Sequence, residues 1–218
     1  VTDIAAATET FAKRTNEGDM VMREDSFPGW GPMYMLGTEL EGKTVGIIGY
    51  GRIGHKLGEM MRSAFNCKVL YMDHNDKGIE GAKRVELDEL LKESDIVSVH
   101  VPLNENTKHF IGEKELKMMK KTAYLINTAR GPVVDEEALL KALQDGTIRG
   151  AGLDVFEKEP RRLAGLEKCK NVVMTPHTAS ATWEARTKMS EVAAQNIIGV
   201  LLEGEAPVSI LNPEVLAK

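Results

Sequence analysis

The sequence predicts an α/β fold, a doubly wound parallel sheet covered by helices on both faces. Three observations carry this. Short, continuously apolar runs recur along the chain, as strands buried on both faces require. Amphipathic segments of helical spacing separate them, so strand and helix alternate. A glycine-rich turn, Gly49-Tyr-Gly-Arg-Ile-Gly54, joins the first such strand to the helix after it.

Thr2–Glu24 reads as one helix, and Phe27-Pro-Gly-Trp-Gly-Pro32 is a cluster of helix breakers. This predicts an N-terminal helical arm over residues 1–35 and a main domain over 36–180. Within the domain, strands are expected at Thr44–Gly49, Lys68–Met72, Asp95–Val101, Thr122–Asn127, Gly150–Val155 and Asn171–Met174. Arg52–Phe65 is helical, with Ile53, Leu57, Met60 and Ala64 on one stripe. Leu87–Glu93 and Glu113–Met119 are short helices. Asp135 caps another: its side chain can accept a free backbone N–H, Glu136 and Glu137 suit the positive end, and Gly146 stops it. A long helix over Ala181–Leu202 would bring Met189, Val192, Asn196 and Val200 near one face. With an extended tail from Pro207, it makes a C-terminal segment over 181–218.

Composition narrows the function classes. The 218 residues are 42% hydrophobic and 28% charged, which suits a globular core and excludes disordered, collagen-like and disulfide-scaffold chains. No apolar run approaches the roughly 20 residues of a membrane helix, and no signal-peptide pattern opens the chain. Cys67 and Cys169 offer neither a disulfide framework nor metal-ligand spacing, so a reducing cytoplasm is expected and no metal. They and the 11 methionines read as apolar fillers. A net charge of −5 and 5% aromatics argue against nucleic acid and acidic membranes as partners. A small anion held by a few local donors remains open.

The glycine turn supplies such donors. Gly49 permits a tight bend, Gly51 lets the backbone approach a pyrophosphate, and Gly54 lets the helix pack on its strand. The helix N-terminus then offers free N–H groups and partial positive charge, with Arg52 able to add a side-chain contact. Asp73 ends the second strand 19 residues past Gly54, where an acid bonds the adenosine ribose of a Rossmann dinucleotide. A carboxylate there repels a 2′-phosphate, so NAD is expected over NADP. Past the later strands lie Arg130, suited to a bidentate grip on a carboxylate, and Asp154, Glu159 and His177. An imidazole that titrates near neutrality can take or give the proton of an alcohol–ketone interconversion. A carboxylate beside it would orient the ring, but Glu159 and His177 stand 18 residues apart, and spacing alone does not pair them. His100, in an apolar strand, reads as a core histidine with a satisfied partner, and His109 as a loop residue.

These motifs resemble the D-isomer-specific 2-hydroxyacid dehydrogenase family. The carriers are residues 42–54, Ser94–Leu103, Leu125–Glu136, Gly150–Pro160 and Thr175–Ser180, in that order. The resemblance implies that Arg130 binds the substrate carboxylate and carbonyl, and that His177 is the acid/base with Glu159 as partner. It implies that Asp154 contacts the nicotinamide carboxamide and Asp73 the ribose. Gly49, Gly51, Arg52, Ile53 and Gly54 would cradle the phosphates. Val101, Pro102, Leu103, Thr128, Ala129 and Ala179 would line the NAD site, with Arg130 and His177 at its reacting end. The expected partner is a small 2-oxo or 2-hydroxy acid, in a homodimer.

Family members carry a substrate lobe ahead of this region, which is expected to be absent here, so that the chain alone binds NADH and turns over slowly. Gly29-Trp-Gly-Pro-Met33 resembles the glyoxylate/hydroxypyruvate reductase branch, whereas Ile210–Leu216 resembles phosphoglycerate dehydrogenases. An NAD-binding corepressor or a bare dinucleotide-binding module shares the same motifs.

Overall fold

The structure, a computed structural model, describes residues 2–207 and 210. Residues up to Ala179 form one compact unit and those from Ser180 a second. The strands of the first unit are β1 (Thr44–Ile48), β2 (Lys68–Met72), β3 (Ala82–Arg84), β4 (Ile96–Val99), β5 (Tyr124–Asn127), β6 (Gly150–Leu153) and β7 (Val172–Met174). They form one seven-stranded sheet in the order β3-β2-β1-β4-β5-β6-β7, every neighbouring pair parallel. The order reverses between β1 and β4. A parallel sheet opens a crevice at that point, outside the carboxyl ends of its strands.

Successive side chains of a strand point to opposite faces, so each strand feeds two cores. On one face Ile47, Tyr71, Ile96 and Ile126 pack with Leu57 and Met61 of α3 (Arg52–Phe65) and with Phe11 of α1 (Thr2–Ala12). On the other, Ile48, Val97, Leu125 and Leu153 pack with Leu90, Leu116 and Leu139. Those three leucines lie on α4 (Leu87–Glu93), α5 (Glu113–Met118) and α6 (Glu136–Gln144). Leu125, fully buried in mid-sheet, contributes about 1.5–3 kcal/mol by leaving water.

Two elements depart from the sequence expectation. The opening segment is not one helix but α1 and α2 (Thr15–Arg23), because Arg14 takes a left-handed conformation (φ 59°) between them. Strand β3 was not anticipated: Ala82-Lys-Arg84 is polar and carries no strand pattern. The methionines also divide, with Met61 and Met119 in the core but Met20, Met22, Met33 and Met189 exposed.

In the second unit, Thr182 Oγ1 accepts from the Ala185 amide (3.1 Å) and starts α7 (Trp183–Ile198). The helix stops short of Leu202 and widens into a π-type turn at Gly199–Glu203, where glycine weakens helical continuity. Apart from Ile210, the segment resembling phosphoglycerate dehydrogenases lies outside the described residues. No helix among the described residues is long and apolar enough to cross a membrane.

Candidate active site

The glycine turn leaves β1 at the reversal point. Gly49 has φ +91°, and a Cβ there would stand 2.8 Å from the His100 carbonyl carbon and 2.9 Å from Val101 Cγ1. Only glycine lets the bend lie so close to the exit of β4. A Cβ on Gly54 would overlap the Gly49 carbonyl oxygen, so this glycine sets how closely α3 meets β1. A Cβ on Gly51 would meet nothing within 4 Å, which leaves the approach to the first turn of α3 open. Arg52 and Ile53 are exposed there.

Asp73 follows β2 and reaches back to the turn, its Oδ2 accepting the Tyr50 amide (2.9 Å). Its Oδ1 faces Lys77 Nζ at 3.5 Å. Partial burial opposes ionisation, but amide hydrogen bonds from Tyr50 and Asn75, with Lys77 beside them, hold the carboxyl below its ordinary range.

The loop after β5 carries Thr128, Ala129 and Arg130. Asn127, buried at the strand end, braces it: its Oδ1 accepts the Ala129 amide (3.1 Å) and its Nδ2 donates to the Arg130 carbonyl (3.0 Å). The Arg130 guanidinium is exposed and donates to the Ala129 carbonyl at 2.6 Å. Val101, Pro102 and Leu103 leave the neighbouring strand β4, with Pro102 and Leu103 exposed.

Asp154 follows β6 and is 4% exposed. Its Oδ1 accepts the Thr175 hydroxyl (2.6 Å) and the Thr178 amide (2.7 Å), and its Oδ2 accepts the Ala179 amide (2.8 Å). The His177 amide donates to the Asp154 carbonyl (2.9 Å). These bonds hold His177 in a left-handed conformation, φ 56°, with its ring exposed. The ring reaches Glu159: Nδ1 donates to Glu159 Oε2 at 2.9 Å. Glu159 Oε1 accepts the Phe156 amide (3.0 Å). The bond from His177 first, then that from Phe156, keeps the Glu159 carboxyl below its ordinary range. An ionised carboxylate only accepts, so a neutral ring carries its proton on Nδ1 and leaves Nε2 bare. A cleft of about 470 Å³ bounded by Phe156, Glu159, Pro160, Met174 and Pro176 adjoins the pair.

Fold and motif order agree with a match over residues 6–179 to the family model described as "D-isomer specific 2-hydroxyacid dehydrogenase, NAD binding domain". The chain belongs to this D-isomer-specific 2-hydroxyacid dehydrogenase family. It is 50% identical over 211 residues to a glyoxylate reductase of Thermofilum pendens, covering 94% of this chain and 62% of that protein. It is 48% identical over 213 residues to a glyoxylate reductase of Thermococcus litoralis, with 94% and 64% covered. The chain therefore spans under two thirds of the length of these curated relatives. Among solved structures, the TT0316 protein of Thermus thermophilus superposes with TM-score 0.90 at 39% identity, covering 96% of this chain and 68% of that one. An NAD-complexed D-isomer specific 2-hydroxyacid dehydrogenase of Lactobacillus delbrueckii gives 0.84 at 37%, covering 97% and 70%.

The residues of this dehydrogenase domain fit an NAD molecule on their own geometry. Gly51 leaves space at a helix N-terminus, where backbone N–H groups favour phosphate. Thr128 Oγ1 is buried with no hydrogen-bond partner, a polar atom waiting for a ligand at the rim of β5. The other histidines are accounted for otherwise. His100 shares a 2.9 Å hydrogen bond with Ser98 Oγ, and burial pulls its pKa down to about 4. His109 Nε2 lies 3.0 Å from Glu157 Oε1, so it is more than the loop residue its position suggested. Cys67 is buried, and its thiol is pushed up to about 11 by burial. Sequence reasoning missed the bracing role of Asn127 and the anchoring of the His177 turn by Thr175 and Thr178. Asn127 acts over two and three residues, a local contact that its residue type at a strand end could have signalled, whereas Thr175 and Thr178 meet Asp154 across 21 and 24 residues of chain, which spacing does not encode.

Proposed function

We propose that the protein to which this chain belongs interconverts a small 2-hydroxy acid and its 2-oxo acid, with glyoxylate the favoured oxo acid and hydroxypyruvate the second. The observation that carries the reading is the 2.9 Å contact between His177 Nδ1 and Glu159, at the carboxyl edge of the sheet that also carries Arg130. The two glyoxylate reductases, at 48–50% identity, support the choice of acid.

NAD, when bound, accepts or delivers the hydride at C2 of the substrate. Gly49 to Gly54 would hold its phosphates and Asp73 its adenosine ribose. Val101, Pro102, Leu103, Thr128, Ala129 and Ala179 would line its site. Asp154 Oδ2, which accepts one protein donor, keeps a lone pair for a carboxamide. Arg130 would grip the substrate carboxylate through two N–H donors. His177 Nε2 would take the hydroxyl proton in oxidation and return it to the carbonyl oxygen in reduction, while Glu159 holds the ring in one tautomer. A homodimer is part of the proposal, and so is preference for NAD over NADP through Asp73.

The test is NADH oxidation by the intact protein against glyoxylate, hydroxypyruvate, pyruvate and 3-phosphohydroxypyruvate, with NADH fluorescence titration of the chain. Glyoxylate or hydroxypyruvate should give the highest kcat/KM, and His177→Ala should abolish turnover while leaving NADH binding. A preference for the phosphorylated acid overturns the substrate assignment. NADH binding with no turnover of any of the four overturns the enzymatic reading.

A further inference from the structure

Glu159 is exposed, on a loop, and must still keep one oxygen on His177. Something else must fix that loop, and a second pair of glutamates is placed to do so. The Glu157 amide donates to Glu136 Oε1 (2.7 Å), and the Glu136 amide donates to Glu157 Oε1 (3.0 Å). Each side chain thus accepts the other's backbone N–H across 21 residues of chain. Glu136 opens α6 and is buried, so its end of the clamp is rigid. The Leu163 amide also bonds Glu136, which ties down the far end of the same loop. His109 Nε2, 3.0 Å from Glu157 Oε1, closes the outer side. A Cβ on Gly131 would overlap the Phe156 carbonyl, so the backbone beside Arg130 lies directly against the loop. From the clamp the path to the ring is short: Glu157 fixes Phe156, the Phe156 amide holds Glu159 Oε1, and Glu159 Oε2 holds His177.

We propose that Glu157, clamped by Glu136 and His109, is a positioning residue that aims Glu159 and so sets the proton of His177 on Nδ1. This rests on the pairing of His177 with Glu159 in the proposed function. A free neutral imidazole is not bound to that tautomer, whereas one that donates Nδ1–H to a fixed carboxylate is.

The readout is the ¹⁵N spectrum of the His177 ring in the folded chain, above the pH at which the ring is neutral. The parent chain should show a protonated Nδ1 and a bare Nε2. Glu159→Ala should shift much of the signal to the opposite pattern, and Glu157→Ala should do so in the same direction. Glu157→Gln keeps an oxygen for the Glu136 amide and should restore the parent pattern. If Glu157→Ala retains protonated Nδ1 while Glu159→Ala loses it, the proposal is overturned, even if the variant melts earlier, and the His177–Glu159 pair stands. If the parent lacks protonated Nδ1, or Glu159→Ala changes nothing, the pair itself falls. Should Glu157→Ala fail to fold, His109→Ala removes a partner of Glu157 from an exposed position and should give a smaller shift in the same sense; no shift overturns the clamp.

Discussion

Replacing Asp154 tests how the turn carrying His177 is held. The carboxylate takes the Thr175 hydroxyl and the Thr178 and Ala179 amides, with the Thr178 hydroxyl a longer fourth donor at 3.5 Å. In Asp154→Ala the hydroxyls can rotate away, but both amides lose their acceptor. A donor stranded out of water costs about 1–3 kcal/mol, and exposure of neighbouring turn atoms lets water recover part of it. The expected loss is about 2–4 kcal/mol for the pair of amides. Asp154→Asn keeps one oxygen and strands one amide, for about 1–2 kcal/mol. With a urea slope of about 2 kcal/mol/M, the midpoint should fall by about 1–2 M for alanine and about 0.5–1 M for asparagine. Circular dichroism during urea titration reads this, and NADH fluorescence reads the cofactor site of the same samples. An alanine variant that unfolds within about 0.3 M of the parent and binds NADH equally well would refute the reasoning.

Three further outcomes are expected. His100 titrates near pH 4 in the fold against an ordinary 6.5, so the unfolded chain takes up a proton first. The stability that the neutral His100 ring contributes is therefore full above about pH 6.5 and is lost toward pH 4; urea midpoints should show the slope, and His100→Gln should reduce it. The lowered Glu159 carboxyl acts in the same direction at lower pH: the stability it contributes is present above its ordinary 4.5 and is lost as pH falls through the lower folded value. A ¹³C titration of Glu159 should move up toward 4.5 in His177→Gln, and an unchanged midpoint would show that the ring is not the cause. Asp73→Ser should narrow the gap between NADH and NADPH affinities in fluorescence titrations; an unaltered ratio would remove Asp73 from cofactor discrimination.

Much of the architecture was legible because strong local signals agreed with the global pattern. Arg52–Phe65 follows the glycine turn within the limits its apolar spacing predicts, and in the structure Asn66 ends it in a left-handed conformation. Asp135 accepts the Ala138 amide as a capping residue should. Strand β3 was not legible, since Ala82-Lys-Arg84 owes its extension to pairing with β2 rather than to its own side chains. At the site, the residue types and their order pointed to proton transfer and carboxylate binding. Spacing alone did not pair His177 with Glu159; the family resemblance implied the pairing, and the fold brings the two side chains to 2.9 Å, with the ring carried by a left-handed residue. The Glu136–Glu157 exchange needed the fold, because it joins side chains to backbone across 21 residues of chain.

The two margins of the sheet carry their own consequence. β3 and β7 each span three residues, and β3 bears Lys83, ion-paired to Glu89 at 2.8 Å. Such stubs give a foreign chain few free amides and carbonyls to zip onto, and the cation resists stacking. The more apolar strands, of four and five residues, are kept inside, so the shortness of the borders guards the sheet against edge-to-edge growth into fibrils.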